Sequence, residues 1–258
     1  MKNSPLVAAS IVLLFALLWL PLGQYDFLMD HWMKIGIYAV PFLLIGGFSL
    51  GAENQLSQLI KNARFIGFLM LIAYIVHQYE EHWIDLFGNY YAFYDFNNHF
   101  ILTALGQPDA PEGPLTKEAI FVINTSLVWL VGSLAIWRSP RHLFPLIAMA
   151  GIILVNGAVH VLASISQFQY NPGLLTSLVI FIPLFIWFIR YLRGRIPDYK
   201  RQIVLGLVWA FLAHVIMVAG LLLANWFLYI PEFVYFVLLV LWSLVPLLIA
   251  NPKAAALK

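Results

Sequence analysis

The sequence contains no cysteine, which excludes thiolate metal ligands, disulfide bonds and cysteine nucleophiles. Charged residues are also scarce, since they make up 10% of the 258 residues, whereas soluble domains have about 25%. The formal net charge of +2 is too small to indicate a nucleic-acid partner. The sequence also lacks a glycine-rich phosphate loop and a Gly-x-Ser-x-Gly nucleophile elbow, so neither chemistry is indicated.

Hydrophobic residues account for 62% of the chain, and its mean hydropathy is +0.87. These values predict an all-α, multi-pass transmembrane helical bundle. Residues 1–258 are expected to form a single integral membrane domain, with residues 88–117 as a long outer loop. The aromatic first half of this loop is typical of a membrane interface or of a lid over a site. About eight spans are predicted, at residues 5–21, 31–50, 65–85, 118–137, 143–168, 174–191, 203–228 and 233–249.

The basic residues predict how these spans are oriented. If the N-terminus is cytoplasmic, only Lys34 and Lys117 of the 14 lysines and arginines fall on the outer side. Because cytoplasmic loops are enriched in lysine and arginine, this distribution predicts that both termini lie in the cytoplasm. We expect the chain in a bacterial cytoplasmic membrane, with its polar site towards the outer side.

That site is organised around residues 77–83, His-Gln-Tyr-Glu-Glu-His-Trp, which end the third predicted span. A charged side chain near the centre of a membrane helix costs roughly 2.5–3.5 kcal/mol. At about 100° per residue, Glu80 and Glu81 project from the same helix face as His77. Two carboxylates beside an imidazole can bind a divalent metal ion or exchange protons. Alternatively, a helix end that surfaces into water carries such charges without either function.

Polar residues of other spans are predicted at the same level of the membrane. Asn124 lies near the outer end of the fourth span, and Asn156 and His160 lie one turn apart on the fifth. Because polar side chains in a membrane turn away from lipid, these residues are expected to face the motif. The simpler interpretation is interhelical hydrogen bonding, which contributes about 0.6 kcal/mol per contact.

We therefore predict a site for a divalent metal ion, with zinc as the first choice and iron or manganese as alternatives. The predicted metal ligands are His77, Glu81 and His160. The predicted catalytic residues are Glu80 and Glu81. The residues predicted to orient the ligands or the substrate are Asn124, Asn156, Tyr170, His82 and His99.

The five residues from His77 to Glu81 resemble the motif that names the HXXEE family of multi-pass membrane proteins. The resemblance extends over about residues 60–190. It is also carried by Leu115-Thr116 ahead of Asn124, by Asn156-Gly-Ala-Val-His160, and by Tyr170-Asn-Pro-Gly173, Thr176 and Pro183. The resemblance implies a membrane-embedded fold and singles out these residues, but it implies no particular reaction.

Three functions are compatible with the sequence. The first is a metal-dependent membrane enzyme of hydrolase type that acts on a lipid or a small hydrophobic substrate. The second is a proton- or cation-coupled transporter or binding protein that uses Glu80 and Glu81 as carriers, although the two halves of the chain show no convincing repeat. The third is a non-catalytic membrane scaffold. Membrane lipids are the expected partners, nucleic acid is not, and the sequence leaves the oligomeric state open.

Overall fold

The computed structural model describes residues 26–50, 60–139 and 141–249. The first predicted span, residues 5–21, lies outside these ranges. Within them the regular secondary structure is helical, and strand pairing is limited to one isolated bridge between Ile84 and Tyr90. The all-α class predicted from the sequence is therefore confirmed for the described residues.

We number the described helices in chain order. They are α1 (Asp26–Ser49), α2 (Ala63–His82), α3 (Ala92–Ala104), α4 (Lys117–Arg138), α5 (Phe144–Gln167), α6 (Leu174–Arg193), α7 (Tyr199–Trp226) and α8 (Glu232–Leu247). Three of them contain a π-helical segment, at Asn124–Leu130 in α4, Ser177–Phe181 in α6 and Leu222–Trp226 in α7. A wider turn of this kind is frequent at functional sites.

Among the described helices, five are long and apolar enough to cross a membrane, namely α1, α4, α5, α6 and α7. α8 is apolar but shorter, and α2 is not one of the five because its C-terminal end carries the polar motif. These helices are consistent with an integral membrane protein. The predicted number of about eight spans is not confirmed, and neither is the predicted orientation.

Local sequence determines where the helices around the motif begin. The side chain of Asn62 accepts hydrogen bonds from the backbone N–H groups at the start of α2, and Thr116 does the same for α4. Such N-caps satisfy backbone donors that the first helical turn leaves free. α6 begins differently, directly after Gly173, which has a φ of +95° and no side chain to act as a cap.

α5 lies at the centre of the described bundle, where it packs against α2, α4, α6 and α7. It crosses α7 very closely, since a Cβ on Gly151 would lie 2.5 Å from the carbonyl oxygen of Gly206. Glycine at such a crossing lets two helix backbones approach each other. The first half of α5, residues 144–153, is buried throughout, so the helix holds the polar residues of its second half in fixed positions.

The predicted outer loop, residues 88–117, contains a helix that is not predicted from the sequence. One face of this helix, α3, lines a cavity beside the motif through Phe93, Asn97, Phe100 and Ile101. The Asn98 side chain accepts from Leu115 N–H at 2.9 Å and donates to Leu115 O at 3.0 Å, which fixes α3 to the chain ahead of α4. The covering segment expected from the aromatic sequence is therefore an anchored helix.

Candidate metal centre

A buried cluster forms where the end of α2 meets α5. His77 and Glu81 lie one turn apart on α2, and His160 comes from α5. Their exposed fractions are 0%, 5% and 5%. One ligand atom from each of these residues lies within 4.8 Å of the other two. The convergence of the three side chains that was predicted from helix periodicity and span order is therefore observed.

The Glu81 carboxylate lies at the centre of this cluster. Its Oε1 is 3.3 Å from His160 Nε2, and its Oε2 is 3.6 Å from His77 Nε2. Ligand atoms about 2.0–2.2 Å from a tetrahedral zinc ion are about 3.3–3.6 Å apart, which matches these two distances. They involve different oxygens of Glu81, and one atom from each of the three residues lies within 4.8 Å of the others, so binding of an ion requires a small inward shift of the side chains. Three protein ligands also leave a fourth position open, as in catalytic zinc sites.

Hydrogen bonds determine which ring nitrogen of His160 is available to bind a metal ion. Its Nδ1 lies 2.7 Å from Asn171 Oδ1, while Asn171 Nδ2 donates to the His160 carbonyl oxygen at 2.9 Å. Because Asn171 presents its oxygen to the ring, Nδ1 carries a proton and Nε2 is the nitrogen that faces Glu81. Nε2 donates to the carboxylate when it is protonated, and it would present its lone pair to a bound ion after losing that proton. A histidine ligand is commonly held in this way through its second nitrogen.

His77 is held in the same tautomer by a relay of hydrogen bonds. The Thr176 hydroxyl donates to Glu80 Oε2 and lies 2.7 Å from His77 Nδ1. Since the hydroxyl proton is given to Glu80, the oxygen accepts from Nδ1–H, which leaves the Nε2 lone pair available. Asn156 Nδ2 donates to that Nε2 at 2.9 Å, so binding of an ion requires the Asn156 amide to release this nitrogen.

The first glutamate of the motif, Glu80, is bound to α6. It accepts hydrogen bonds from the backbone N–H groups of Leu175, at 3.1 Å, and Thr176, at 2.8 Å. A helix N-terminus leaves these donors free and attracts negative charge, so Glu80 caps α6 from a neighbouring helix. The hydroxyls of Thr176 and Tyr170 also donate to this carboxylate. Glu80 thereby fixes the start of α6 against α2 and places Thr176 beside His77.

Tyr170 stabilises Glu80 from the turn between α5 and α6. Its hydroxyl donates to Glu80 Oε1 at 2.9 Å and accepts from the backbone N–H of Leu86 at 3.1 Å. Burial raises the pKa of Tyr170 well above its usual value, and the neighbouring Glu80 adds to the shift. The hydroxyl therefore stays protonated at neutral pH and remains a donor to Glu80.

A second chain of hydrogen bonds positions His82, whose Nε2 lies 3.0 Å from Glu81 Oε2. Trp129 Nε1–H donates to Gln78 Oε1 at 2.8 Å, and Gln78 Nε2 donates to Asn124 Oδ1 at 2.9 Å. Because an indole N–H can only donate, it sets the orientation of both amides. Asn124 Nδ2 then lies 3.1 Å from His82 Nε2. Asn124 and Trp129 both belong to the π-helical segment of α4.

Gly173 forms one wall of the cluster. Its φ is +95°, and a Cβ at this position would lie 2.7 Å from Cε1 of His160 and 2.8 Å from Cε1 of His77. A larger residue would therefore strain the backbone and displace both imidazoles. The turn that the sequence predicts at residues 170–173 is thus part of the site.

An apolar cavity of about 230 Å³ adjoins the cluster. Glu81, Asn124 and Asn156 contribute polar groups to its wall. Most of the remaining lining consists of aliphatic and aromatic side chains from α3, α4, α5 and α7. A mainly apolar pocket with a few convergent polar groups is the usual form of a small-molecule site.

The structure brings most of the predicted site residues together. Asn156 and His82 contact His77 and Glu81 directly, whereas Asn124 is bonded to His82 and Tyr170 to Glu80. His99 lies apart from the cluster, on the exposed face of α3. None of these contacts tests the predicted catalytic roles of Glu80 and Glu81, which stay predictions.

No site role is predicted from the sequence for Gln78, Asn171, Gly173 or Thr176. Asn171, Gly173 and Thr176 belong to the motifs that carry the family resemblance, which was the available signal. Their contacts could not be derived from helix periodicity, because Thr176 and His77 are 99 positions apart and belong to different helices.

Comparison with known proteins supports the resemblance. Residues 68–188 match the model of a family described as a protein of unknown function with an HXXEE motif. Searches of curated proteins and of solved structures gave no match. The matched segment contains the three clustered residues, both hydrogen-bonded chains and the turn at residues 170–173. Over residues 68–188 the chain is therefore similar to the HXXEE family, as its motifs predicted.

Proposed function

We propose that the protein is a membrane-embedded, metal-dependent enzyme of hydrolase type that acts on a lipid or small hydrophobic substrate. The observation that carries this proposal is the spacing of His77, Glu81 and His160, whose ligand atoms lie within 4.8 Å of one another. Zinc is the ion that this donor set suits first, with iron and manganese as alternatives. The adjoining apolar cavity supports a hydrophobic substrate.

In this proposal, some residues bind the ion, others orient the substrate, and the remainder position the metal ligands. His77, Glu81 and His160 would hold the ion, which would supply Lewis-acid chemistry to a substrate oxygen or to water. Asn124 and Asn156 line the cavity beside Glu81 and are placed to orient the polar part of a substrate. The network behind the ligands fixes their tautomers and ring planes, which is the usual contribution of outer hydrogen-bond partners.

The proposal includes the arrangement in the membrane. We infer a single membrane domain with about eight spans, cytoplasmic termini and the cluster in the outer half of a bacterial cytoplasmic membrane. Five described helices of sufficient length and apolarity and the uneven distribution of lysine and arginine support it.

Metal analysis of the purified full-length protein tests the proposal. We expect about one equivalent of metal per chain, and its loss in His160→Ala and Glu81→Gln. His99→Ala is the matched control, since His99 is exposed on α3, and it should keep the metal. Circular dichroism of each variant checks that the helical fold is retained.

Two results would contradict the proposal. The first is a folded wild-type protein that takes up no metal from a zinc-, iron- or manganese-containing buffer. The second is proton-coupled flux in liposomes that is abolished by Glu81→Gln, which would favour the transporter instead.

A further inference from the structure

One wall of the cavity beside Glu81 comes from α7, which lies beyond the segment matched to the family. The lining residues of α7 are His214, Met217, Val218 and Leu221. Met217, Val218 and Leu221 lie three, four and seven positions after His214, so the four residues form one stripe along the helix. Because this stripe adds an imidazole to an otherwise apolar wall, it determines what kind of molecule the cavity accepts.

The hydrogen bonding of His214 defines what it offers to the cavity. Its Nδ1 lies 2.8 Å from the carbonyl oxygen of Ala210, so Nδ1 carries the proton in the neutral ring. Nε2 is then a hydrogen-bond acceptor. Among residues 26–50, 60–139 and 141–249, the structure gives Nε2 no hydrogen-bond partner. A ligand that donates a hydrogen bond to Nε2 would therefore satisfy this acceptor and stabilise the bound state.

Exposed apolar residues show how a ligand would enter. Phe100 of α3, Val159 of α5 and Val218 of α7 all line the cavity, and they are 42%, 48% and 43% exposed. In a membrane bundle, apolar residues on the outer surface face lipid. We therefore expect the cavity to open towards lipid between α3, α5 and α7.

Size and charge restrict the occupant further. The cavity volume of about 230 Å³ lies below the roughly 300–1,000 Å³ that is usual for small-molecule sites, so we expect it to admit one alkyl chain rather than two. None of the described residues that line it is a lysine or arginine, and the Glu81 carboxylate faces it. In the metal-free protein, an anionic head group would therefore be repelled.

We propose that the cavity binds a single-chain, uncharged amphiphile whose polar head donates a hydrogen bond to Nε2 of His214. The head lies between His214 and Glu81, and the alkyl chain lies against the apolar wall towards the lipid-facing opening. Identification of this amphiphile as the substrate rests on the proposed function, whereas its binding depends on the cavity alone.

Photolabelling in nanodiscs tests the binding. Full-length protein is treated with chelator, labelled with a diazirine-bearing analogue of octan-1-ol, and competed with octan-1-ol or with its isomer 1-methoxyheptane, which has no donor. We expect labelled peptides to contain residues 93–101 and 214–221. We expect the preference for the alcohol over the ether to be about tenfold larger in wild type than in His214→Phe, or about 1.4 kcal/mol.

Two further variants separate the role of His214 from a general effect on the fold. His214→Gln retains an acceptor oxygen and should retain a preference for the alcohol. Val215→Leu changes an exposed residue of α7 that does not line the cavity, and it should behave as wild type. Octanoate should compete poorly with every variant, because Glu81 repels its charge.

The photolabelling experiment can either support or overturn the proposal. An alcohol preference that is unchanged in His214→Phe, or labelling confined to other parts of the chain, would overturn the proposal. Because every arm uses metal-free protein, a failure of the proposed metal chemistry would leave these results unaffected. Conversely, a wild-type protein that binds zinc but shows no preference for the alcohol would overturn this proposal and leave the proposed function standing.

Discussion

The adjacent glutamates of the motif have different surroundings, although they share one helix turn. Glu81 faces three imidazoles, those of His77, His82 and His160. Glu80 instead accepts four hydrogen bonds from α6 and Tyr170. A buried carboxylate is tolerated only where it is paired or well hydrogen-bonded, and each glutamate meets this condition in its own way. The motif therefore combines a ligand position with a helix cap.

Replacing Thr176 by valine keeps the shape of the side chain and removes the hydroxyl between Glu80 and His77. We expect the affinity for zinc to fall about 10- to 100-fold, the usual loss when the partner of a histidine ligand is removed. Titration of metal-free protein with zinc against a competing chelator measures it. Thr125→Val is the matched control, because Thr125 is also buried but donates to the Phe121 carbonyl of its own helix. Equal affinities in the two variants would contradict the relay.

Gly173→Ala is expected to abolish metal binding, because its Cβ would collide with both imidazoles. Gly88→Ala provides the comparison, since Gly88 has a similar φ of +83° but no described atom within 4 Å of an added Cβ. Gly88→Ala should lower the free energy of unfolding by about 1–2 kcal/mol and keep the metal. Thermal unfolding and metal analysis of both variants test this. Retention of metal by Gly173→Ala would show that the wall can move.

At the scale of elements, the site depends on segments whose position is set by single side chains. α6 begins at a carboxylate of α2, and α3 is held over the cavity by Asn98. The π-helical segment of α4 carries Asn124 and Trp129, which together orient Gln78. Each of these three elements is positioned by hydrogen bonds to another part of the chain. Local unfolding of any one of them would therefore displace residues of the cluster or of the cavity wall.

Asn98→Ala is expected to loosen α3, because it removes both hydrogen bonds to the backbone of Leu115. Hydrogen exchange in residues 92–104 should accelerate by about tenfold or more, which corresponds to a loss of about 1.4 kcal/mol in local stability. Peptides from α5 should not change. Asn97→Ala is the control within the same helix, since among the described residues the Asn97 side chain donates only to the carbonyl of Phe93 one turn earlier. Similar exchange in the two variants would mean that Asn98 does not anchor α3.

For the whole molecule, the proposed orientation depends on charge rather than on any contact. Lys117 is one of the two basic residues that the proposed topology leaves on the outer side, and it pairs with Asp30 at 2.7 Å. Both side chains of this pair are substantially exposed, so the pair contributes little to the stability of the fold. In the proposed topology it lies on the outer surface.

The cysteine-free sequence allows a direct test of orientation. A thiol introduced by Gln107→Cys, in the exposed segment after α3, should react with a membrane-impermeant maleimide on intact cells. A thiol introduced by Lys200→Cys, exposed at the start of α7, should react only after permeabilisation. The reverse pattern would invert the proposed topology, and reaction of both from outside would exclude an odd number of crossings between them.

The sequence alone determined the helical class, the motif and the membership of His77, Glu81 and His160 in one cluster. These follow from properties that can be read from the sequence without knowledge of contacts, namely hydropathy, helix periodicity and the order of the spans. It did not determine α3, because a helix of 13 residues within an aromatic loop is too short to produce a strong apolar period. It also assigned a role to His99, whose side chain turns outward on that unexpected helix.

Tertiary structure decided what each polar residue does. Glu80 and Glu81 are chemically identical neighbours, and only the approach of α6 to one and of His160 to the other separates their roles. In the same way, Asn171 and Thr176 set the tautomers of His160 and His77, and His214 lines the cavity from α7. Hydrogen bonds have a short range and a strict direction, so the residue that satisfies a buried group depends on how the helices pack.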